Sequence, residues 1–351
     1  MDKWEPTVLV LGSGGMKGFM EIGALVYMSK IGKLNKIDTY VGCSIGAVIC
    51  LLRICDYDYT EIMKIAYNVD VSKFININLN TIVENMGLIN SNDVVSKLET
   101  LVESQYGMVP TLEQLYITTG KILTIVTYNM TKSRTEFISR DNMPDISCVD
   151  AVMLSCNIPF IFQTIKINGD IYVDGGIGNP YPVDIYDNNK TKILGMYIAE
   201  PKPKETTTGF ILNLIHCQSR EITSRIIKGS SDKCKHIKLI SPTTDTTGLS
   251  FTHEIRTDLI MIGWNAAIKA TRGEVCEVEM EDLMSSIIDN SGEEYYTDPG
   301  DSKNTNNKII SDSQSKISVK ISNKSLKVLE NRKCLDLLNS DPQDNTCQRY
   351  I

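Results

Sequence analysis

The sequence predicts an α/β domain with a mostly parallel central sheet, helices on both faces of that sheet, and a polar C-terminal extension. Three observations carry this. Short apolar runs with strand character alternate with longer helical patterns from Thr7 to Thr271, the order that builds a parallel sheet through helical crossovers. Two strand–turn–helix units stand back to back near the start, in TVLVLGSGGMKGF and TYVGCSIGAVICLL. The composition then changes after Cys276. The alternation therefore places the α/β domain in residues 1–275 and the extension in residues 276–351. Within the extension, residues 289–313 are rich in Asn, Ser, Asp, Gly and Lys and carry too little apolar surface to offset the entropy of ordering, so they read as a flexible linker. Residues 317–338 regain the periodicity of a small strand–helix element.

Taken in order, Thr7 to Leu11 is an apolar strand that enters the turn Gly12-Ser13-Gly14-Gly15. Residues 19–31 follow as a helix with Ile22, Leu25, Val26 and Met28 as apolar positions and Gly32 as its stop, and Gly23 is expected to let it pack closely against the second turn. Residues 39–41 are the second strand. Residues 45–54 form a helix that is apolar on nearly every face, hence buried. Residues 57–74 read as a helix capped near Asp58. Residues 76–80 alternate polar and apolar side chains. Gly87 to Ser91 turns into a helix over 92–103, and Thr111 with Gln114 forms a capping box for a short helix. Residues 121–129 contain the apolar run Ile122 to Val126, suited to a central parallel position, with 132–139 as a hairpin partner or neighbour. A helix over 147–156 stops at Ile158-Pro159. The strands 164–167 and 171–173 surround Asn168-Gly169, a strong hairpin signal. A strand at 192–199, a helix at 209–228, a strand at 236–240 and a helix at 256–271 complete the domain.

Gly42-Cys43-Ser44-Ile45-Gly46 between a strand and a helix is the nucleophile-elbow pattern. The elbow forces its serine into a sparsely populated backbone conformation, and a Cβ at either flanking glycine would meet the neighbouring strand or helix. The helix N-terminus beneath the serine favours developing negative charge. In the first turn, Gly14, Gly15 and Met16 can bring their amides inward as oxyanion donors, with Lys17 and Gly18 completing the loop. A phosphate-binding reading fails because Lys17 is followed by Gly18 rather than Ser or Thr. A dinucleotide fingerprint fails because Lys17 stands where glycine or alanine is required.

Gly14-Gly15-Met16-Lys17-Gly18, then Gly42-x-Ser44-x-Gly46, then Asp174-Gly175-Gly176 resembles the patatin-like phospholipase family. The segments Met153 to Phe160 and Gly178 to Pro182 resemble that family too, so the likeness runs from about Val8 to about Arg272. The resemblance implies a three-layer sandwich and a lipid acyl hydrolase of phospholipase A type with a Ser44–Asp174 dyad. It implies no metal and no cofactor. Ser44 would attack the ester carbonyl, Asp174 would take and return the proton, and the amides of Gly14, Gly15 and Met16 would hold the oxyanion, with an amide near Ile45 as a further donor. Lys17 matches a basic position of the motif and is read as holding the loop from the surface or through an ion pair, with direct catalysis as the alternative. Ser13 and Gly12 depart from the usual glycine triplet and its preceding residue. The same site would serve a lysophospholipase, an esterase or an acyltransferase. A catalytically silent scaffold is the alternative of another class, against which the intact motifs count.

Charge and composition bound the partners. A net charge of −7 with no basic stripe argues against nucleic acid and against tight docking on anionic membranes. The substrate partner that the resemblance implies is a phospholipid or other lipid ester met at a membrane or micelle surface. The ten cysteines include no CxxC, the three histidines form no cluster with them, and neither a signal peptide nor a transmembrane run stands out, so a cytoplasmic protein is expected. His216, His236 and His253 follow Asp174 in the order of an α/β-hydrolase triad. Those enzymes place several strands before the elbow, whereas one strand precedes the elbow's own here, which favours the dyad.

Overall fold

Val8, Leu9, Val10 and Leu11 form β1 (Val8–Leu11), and all four are buried, as apolar β-branched and branched residues in a central parallel strand should be. The computed structural model describes residues 4–69, 87–89, 92–163, 165–199, 207–242, 251–271, 280 and 283–285. The chain divides into two units, Met1–Glu294 and Tyr295–Ile351, and every described residue belongs to the first. The readings made above for 76–80, 289–313 and 317–338 lie outside the described residues.

After β1 come α1 (Gly18–Lys30), β2 (Thr39–Cys43), α2 (Ile45–Ile54), α3 (Tyr59–Asn68), β3 (Gly87–Ile89), α4 (Asn92–Tyr106), α5 (Leu112–Thr119), β4 (Ile122–Asn129) and β5 (Arg134–Ile138). The chain continues through α6 (Cys148–Cys156), β6 (Phe160–Phe162), β7 (Ile165–Ile167), β8 (Asp170–Asp174), β9 (Ile193–Ala199), α7 (Thr207–Gly229), β10 (Cys234–Ile240) and α8 (His253–Ala270). Caps set several of these boundaries. Asp58 Oδ1 accepts from the amides of Thr60 and Glu61 while Glu61 takes the Asp58 amide, and Thr111 and Gln114 form the same reciprocal box at α5.

The main sheet runs β10-β9-β1-β2-β4-β8-β7, with β5 on the other edge of β4. β10, β9, β1, β2 and β4 are parallel, so their C-terminal ends share one edge of the sheet. Alternation along the strands divides the core in two. Leu9, Leu11, Tyr40, Leu123, Ile125 and Leu194 face the larger cluster, which α1, α2, α3 and α8 close. Val8, Val10, Val41, Val126 and Ile193 face a smaller cluster with Tyr181 and Val183, flanked by Ile226 and Ile227 of α7. The layers are those of an α/β three-layer sandwich. Met280 and Met284, beyond residue 275, are also buried in the larger cluster.

The register of β4 determines what meets at the edge. β2 pairs with Ile122 to Val126 of β4, and β5 pairs antiparallel with Ile125 to Asn129 along the opposite edge. β8 pairs antiparallel with Thr127 to Asn129 and must therefore share the edge that β2 uses. Cys43 stands opposite Val126 and Asp174 opposite Thr127, so β2 and β8 run head to head along β4.

Two expectations change. Residues 87–89 form a strand rather than a turn, paired in parallel with Phe160–Phe162, which the sequence reading left between elements. Three-residue strands are too short for a period of two to register, and their pairing is set by contacts far apart in the chain. Gly23 packs not against the elbow but against α8. A Cβ on Gly23 would lie 2.0 Å from Ile260 O, and one on Gly263 would lie 1.8 Å from Met20 O, so the two helices cross backbone to backbone. Gly18 is the glycine that meets the elbow helix, at the Ile45 side chain. Replacing Gly23 by Ala must push α1 and α8 apart and is expected to destabilise the domain by about 1–3 kcal/mol. An unchanged urea midpoint for Gly23→Ala would contradict this crossing.

Candidate active site

Ser44 closes β2 and caps α2 with φ 55° and ψ −126°, a conformation that costs a non-glycine residue about 1–3 kcal/mol. The flanking glycines make the turn sterically feasible. A Cβ on Gly42 would fall 2.3 Å from Ala47 Cα in the helix, and one on Gly46 would fall 2.6 Å from Leu11 O at the end of β1. The strained turn lifts Ser44 Oγ towards the end of β8. There it donates to Asp174 Oδ2 at 2.6 Å, and both residues are buried, at 4% and 7% exposure.

Asp174 is held from three sides. Its Oδ1 accepts from the Gly176 amide at 2.7 Å, and its own amide donates to Asn157 O at 2.9 Å. Burial pushes its carboxyl up to about 6, and the hydrogen bonds from Ser44 and Gly176 offset only part of that. A group near 6 is ionised at neutral pH and still basic enough to accept a proton from a serine under attack.

The glycine loop runs alongside. Gly15–Lys17 is a short 3₁₀ turn, with Gly15 at φ 54°, and the Lys17 amide donates to Gly14 O at 3.2 Å. Among the described residues, the amides of Gly14, Gly15 and Met16 donate to no protein acceptor, so three N–H groups remain available for an anion. Lys17 is completely buried at the threshold of α1, which rules out the surface alternative for it.

Three residues escaped the sequence reading as parts of this site. Ser155 Oγ accepts from the Ser44 amide at 2.7 Å and donates to Val126 O at 2.5 Å, binding the elbow to β4. Asn157 holds β8 through its carbonyl and through Nδ2, which donates to Tyr172 O at 2.9 Å. Glu21 is completely buried in α1 and accepts from the Gly12 amide at 3.1 Å. Ser155 and Asn157 lie in the Met153 to Phe160 segment that resembles the family, and the signal for Glu21 was an acidic residue within an apolar helix. Cys43 is buried behind the nucleophile, and burial together with the nearby Asp174 pushes its thiol well above the usual range.

Neither His236 nor His253 meets Asp174. His236 Nδ1 meets Tyr181 OH at 2.7 Å, its Nε2 meets Ser230 Oγ at 2.9 Å, and burial lowers its pKa. His253 begins α8 and stacks on Tyr67 at 5.0 Å between ring centroids. His216 falls within α7. Among the described residues, no group of three or more His, Cys, Asp or Glu stands together as a metal site, and none of the seven cysteines there forms a disulfide.

A family model for patatin-like phospholipase matches residues 9–187, from β1 past Asp174, and the chain belongs to that family of lipid hydrolases. The chain is 35% identical over 193 residues to "Probable lipid hydrolase 463L" of Invertebrate iridescent virus 6, in an alignment covering 52% of this chain and 65% of that protein. It is 28% identical over 229 residues to "1-acylglycerol-3-phosphate O-acyltransferase Pnpla3" of Mus musculus, covering 62% of this chain and 49% of that protein. Among solved structures, VipD from Legionella pneumophila shares the fold with a TM-score of 0.51 at 16% identity, over 76% of this chain and 67% of that one.

Two stability predictions follow from this geometry. Because the folded-state pKa of Asp174 lies above its unfolded value, its contribution is favourable below about pH 4 and is lost as pH rises through 6, at a cost of about 3 kcal/mol at neutral pH. Asp174→Asn is therefore expected to be more stable than the parent by up to about 3 kcal/mol at pH 8, with the advantage vanishing near pH 4. Urea titrations at both pH values measure it. Ser155→Ala leaves the Ser44 amide buried without its acceptor, and the same titration should show a loss of about 1–3 kcal/mol.

Proposed function

We propose that this chain is a lipid acyl hydrolase of phospholipase A type that works through a Ser44–Asp174 dyad. The observation that carries the reading is the 2.6 Å hydrogen bond from a strained, buried Ser44 to Asp174 beside a loop of unspent amides. Ser44 Oγ attacks the ester carbonyl as its proton passes to Asp174 Oδ2. The amides of Gly14, Gly15 and Met16 receive the oxyanion. Collapse of the tetrahedral intermediate expels the alcohol, which takes the proton back from Asp174 and leaves an acyl-Ser44 ester. Water then attacks that ester, giving its proton to Asp174, and a second collapse frees the fatty acid and restores Ser44.

A second reading has its own support. The mouse relative is named an acyltransferase, and an acyl-Ser44 ester met by a lipid alcohol instead of water would transfer its acyl group. The substrate is a phospholipid or related lipid ester, met transiently at a membrane or micelle surface from the cytoplasm. Apolar side chains suit that contact: Met130, Ile177 and Ile240, at or near the C-terminal edge of the sheet, are exposed. Among the described residues no helix is long and apolar enough to cross a membrane.

The test is fatty-acid release from phosphatidylcholine mixed micelles, with chelator present, by the parent protein, Ser44→Ala and Asp174→Ala. The parent is expected to be active and each variant to lose at least about 10³-fold. Adding a lysophospholipid acceptor and finding new diacyl product in place of free acid would favour the transferase. No release, with no labelling by a fluorophosphonate, would return the chain to the scaffold reading. As a second expectation, kcat/KM should fall about tenfold per pH unit below about 6, where Asp174 takes up its proton. A profile that is flat between pH 7 and 5 would remove Asp174 from the role of base.

A further inference from the structure

Glu21 is a buried carboxyl that the proposed chemistry does not use. It lies in the first turn of α1, within the run Phe19-Met20-Glu21-Ile22, and is completely shielded from solvent. Its Oε1 accepts from the Gly12 amide at 3.1 Å, and its Oε2 has no hydrogen-bond partner. Cys43 from β2, Cys50 from α2 and Tyr181 from the segment after β8, whose acidity it lowers, are neutral in their usual protonation states. Burying a carboxyl in such surroundings is unfavourable, and an apolar residue of the same size would suit the core of α1 better. The hydrogen bond to the Gly12 amide is a contact that a Leu or Met could not supply.

Gly12 is the joint of the site. Its amide also reaches Met196 O at 3.0 Å, which continues the β1–β9 ladder by one residue, and Ser13 next to it donates to Pro180 O at 2.9 Å. A Cβ on Gly12 would lie 3.0 Å from Pro180 O, and the Gly12 carbonyl would lie 2.8 Å from a Cβ on Gly46 of the elbow. The Gly12 peptide is therefore wedged between α1, β9, the Pro180 segment and the nucleophile turn. Two residues further on, the free amides begin at Gly14. Rotation of that one peptide would tilt all three donors and press on the elbow.

We propose that Glu21 is a positioning residue for the glycine loop: by holding the Gly12 amide from beneath, it fixes where the amides of Gly14, Gly15 and Met16 stand relative to Ser44. The inference rests on the hydrolase reading. The bond matters only while an oxyanion is present, so its loss should appear in kcat and spare KM.

The experiment compares the parent with Glu21→Gln, Glu21→Ala and Glu21→Leu. It measures kcat and KM on p-nitrophenyl butyrate, the rate of fluorophosphonate labelling, and the thermal midpoint. Glu21→Leu and Glu21→Ala are expected to lose about 10- to 100-fold in kcat with KM within about twofold, and labelling should slow in step. Glu21→Leu should do so with a thermal midpoint equal to or above that of the parent, because it removes a buried polar group. Glu21→Gln keeps the acceptor oxygen and should recover most of the rate. Full activity in Glu21→Leu overturns the inference, as does a rate loss in all three variants that follows their thermal midpoints. A parent that neither hydrolyses the ester nor reacts with the fluorophosphonate overturns the hydrolase reading itself, which an active parent matched by Glu21→Leu does not.

Discussion

The pairing along one edge of β4 is the constraint on which the rest depends. Val126 and Thr127 are adjacent residues of a single strand, and they serve two partners that arrive from opposite directions. β2 ends against the first and β8 ends against the second, so the two strand termini face each other across one residue step. Ser155 binds to Val126 O, while Thr127 Oγ1 lies within hydrogen-bonding distance of Val173 O at 2.9 Å and Leu154 O at 3.0 Å. The C-terminal turn of α6 is thereby fastened to the same two residues. A slip of one residue in either pairing would turn Ser44 or Asp174 to the opposite face of the sheet, because the side-chain period of a strand is two. Position at this edge is set by backbone ladders, which tolerate no partial shift.

That rigidity is needed because the site is unfavourable by itself. Ser44 holds a backbone conformation normally left to glycine, Asp174 is an ionised group in the interior, and Glu21 occupies a place suited to an apolar side chain. Each would relax if its surroundings permitted. The fully buried strands β1 and β2, and the backbone-to-backbone crossing of α1 and α8, supply the packing that prevents it.

The parts of this arrangement that were legible in the sequence are those written in local turn chemistry. The elbow needs glycines at 42 and 46 whatever the rest of the fold does, and Asn168-Gly169 marks its hairpin, with both residues at positive φ, from a dipeptide. Alternating strands and helices gave the class of sheet. Long-range choices were not legible. Nothing near Gly23 says that its partner is Ile260, and nothing near Leu88 says that its strand pairs with the one holding Ile161. Ser155 and Glu21 look like ordinary polar interruptions of apolar helices until the amides of Ser44 and Gly12 are brought to them. Of the readings open for Lys17 only the surface one fails, because burial is decided by where the next helix goes.

The position of β1 in the sheet has a consequence for how the protein is made. β1 lies between β2 and β9, and Gly12 takes part of its support from Met196. β1 therefore leaves the ribosome nearly two hundred residues ahead of a neighbour it pairs with. At the usual pace of elongation that interval is about ten seconds or more. During it the nucleophile turn is already synthesised, but the sheet that tensions it is open on one side. Nascent chains would thus carry the motif well before they carry the machine, and a chaperone that shields the open edge of β1 would guard the emerging chain against both aggregation and premature chemistry.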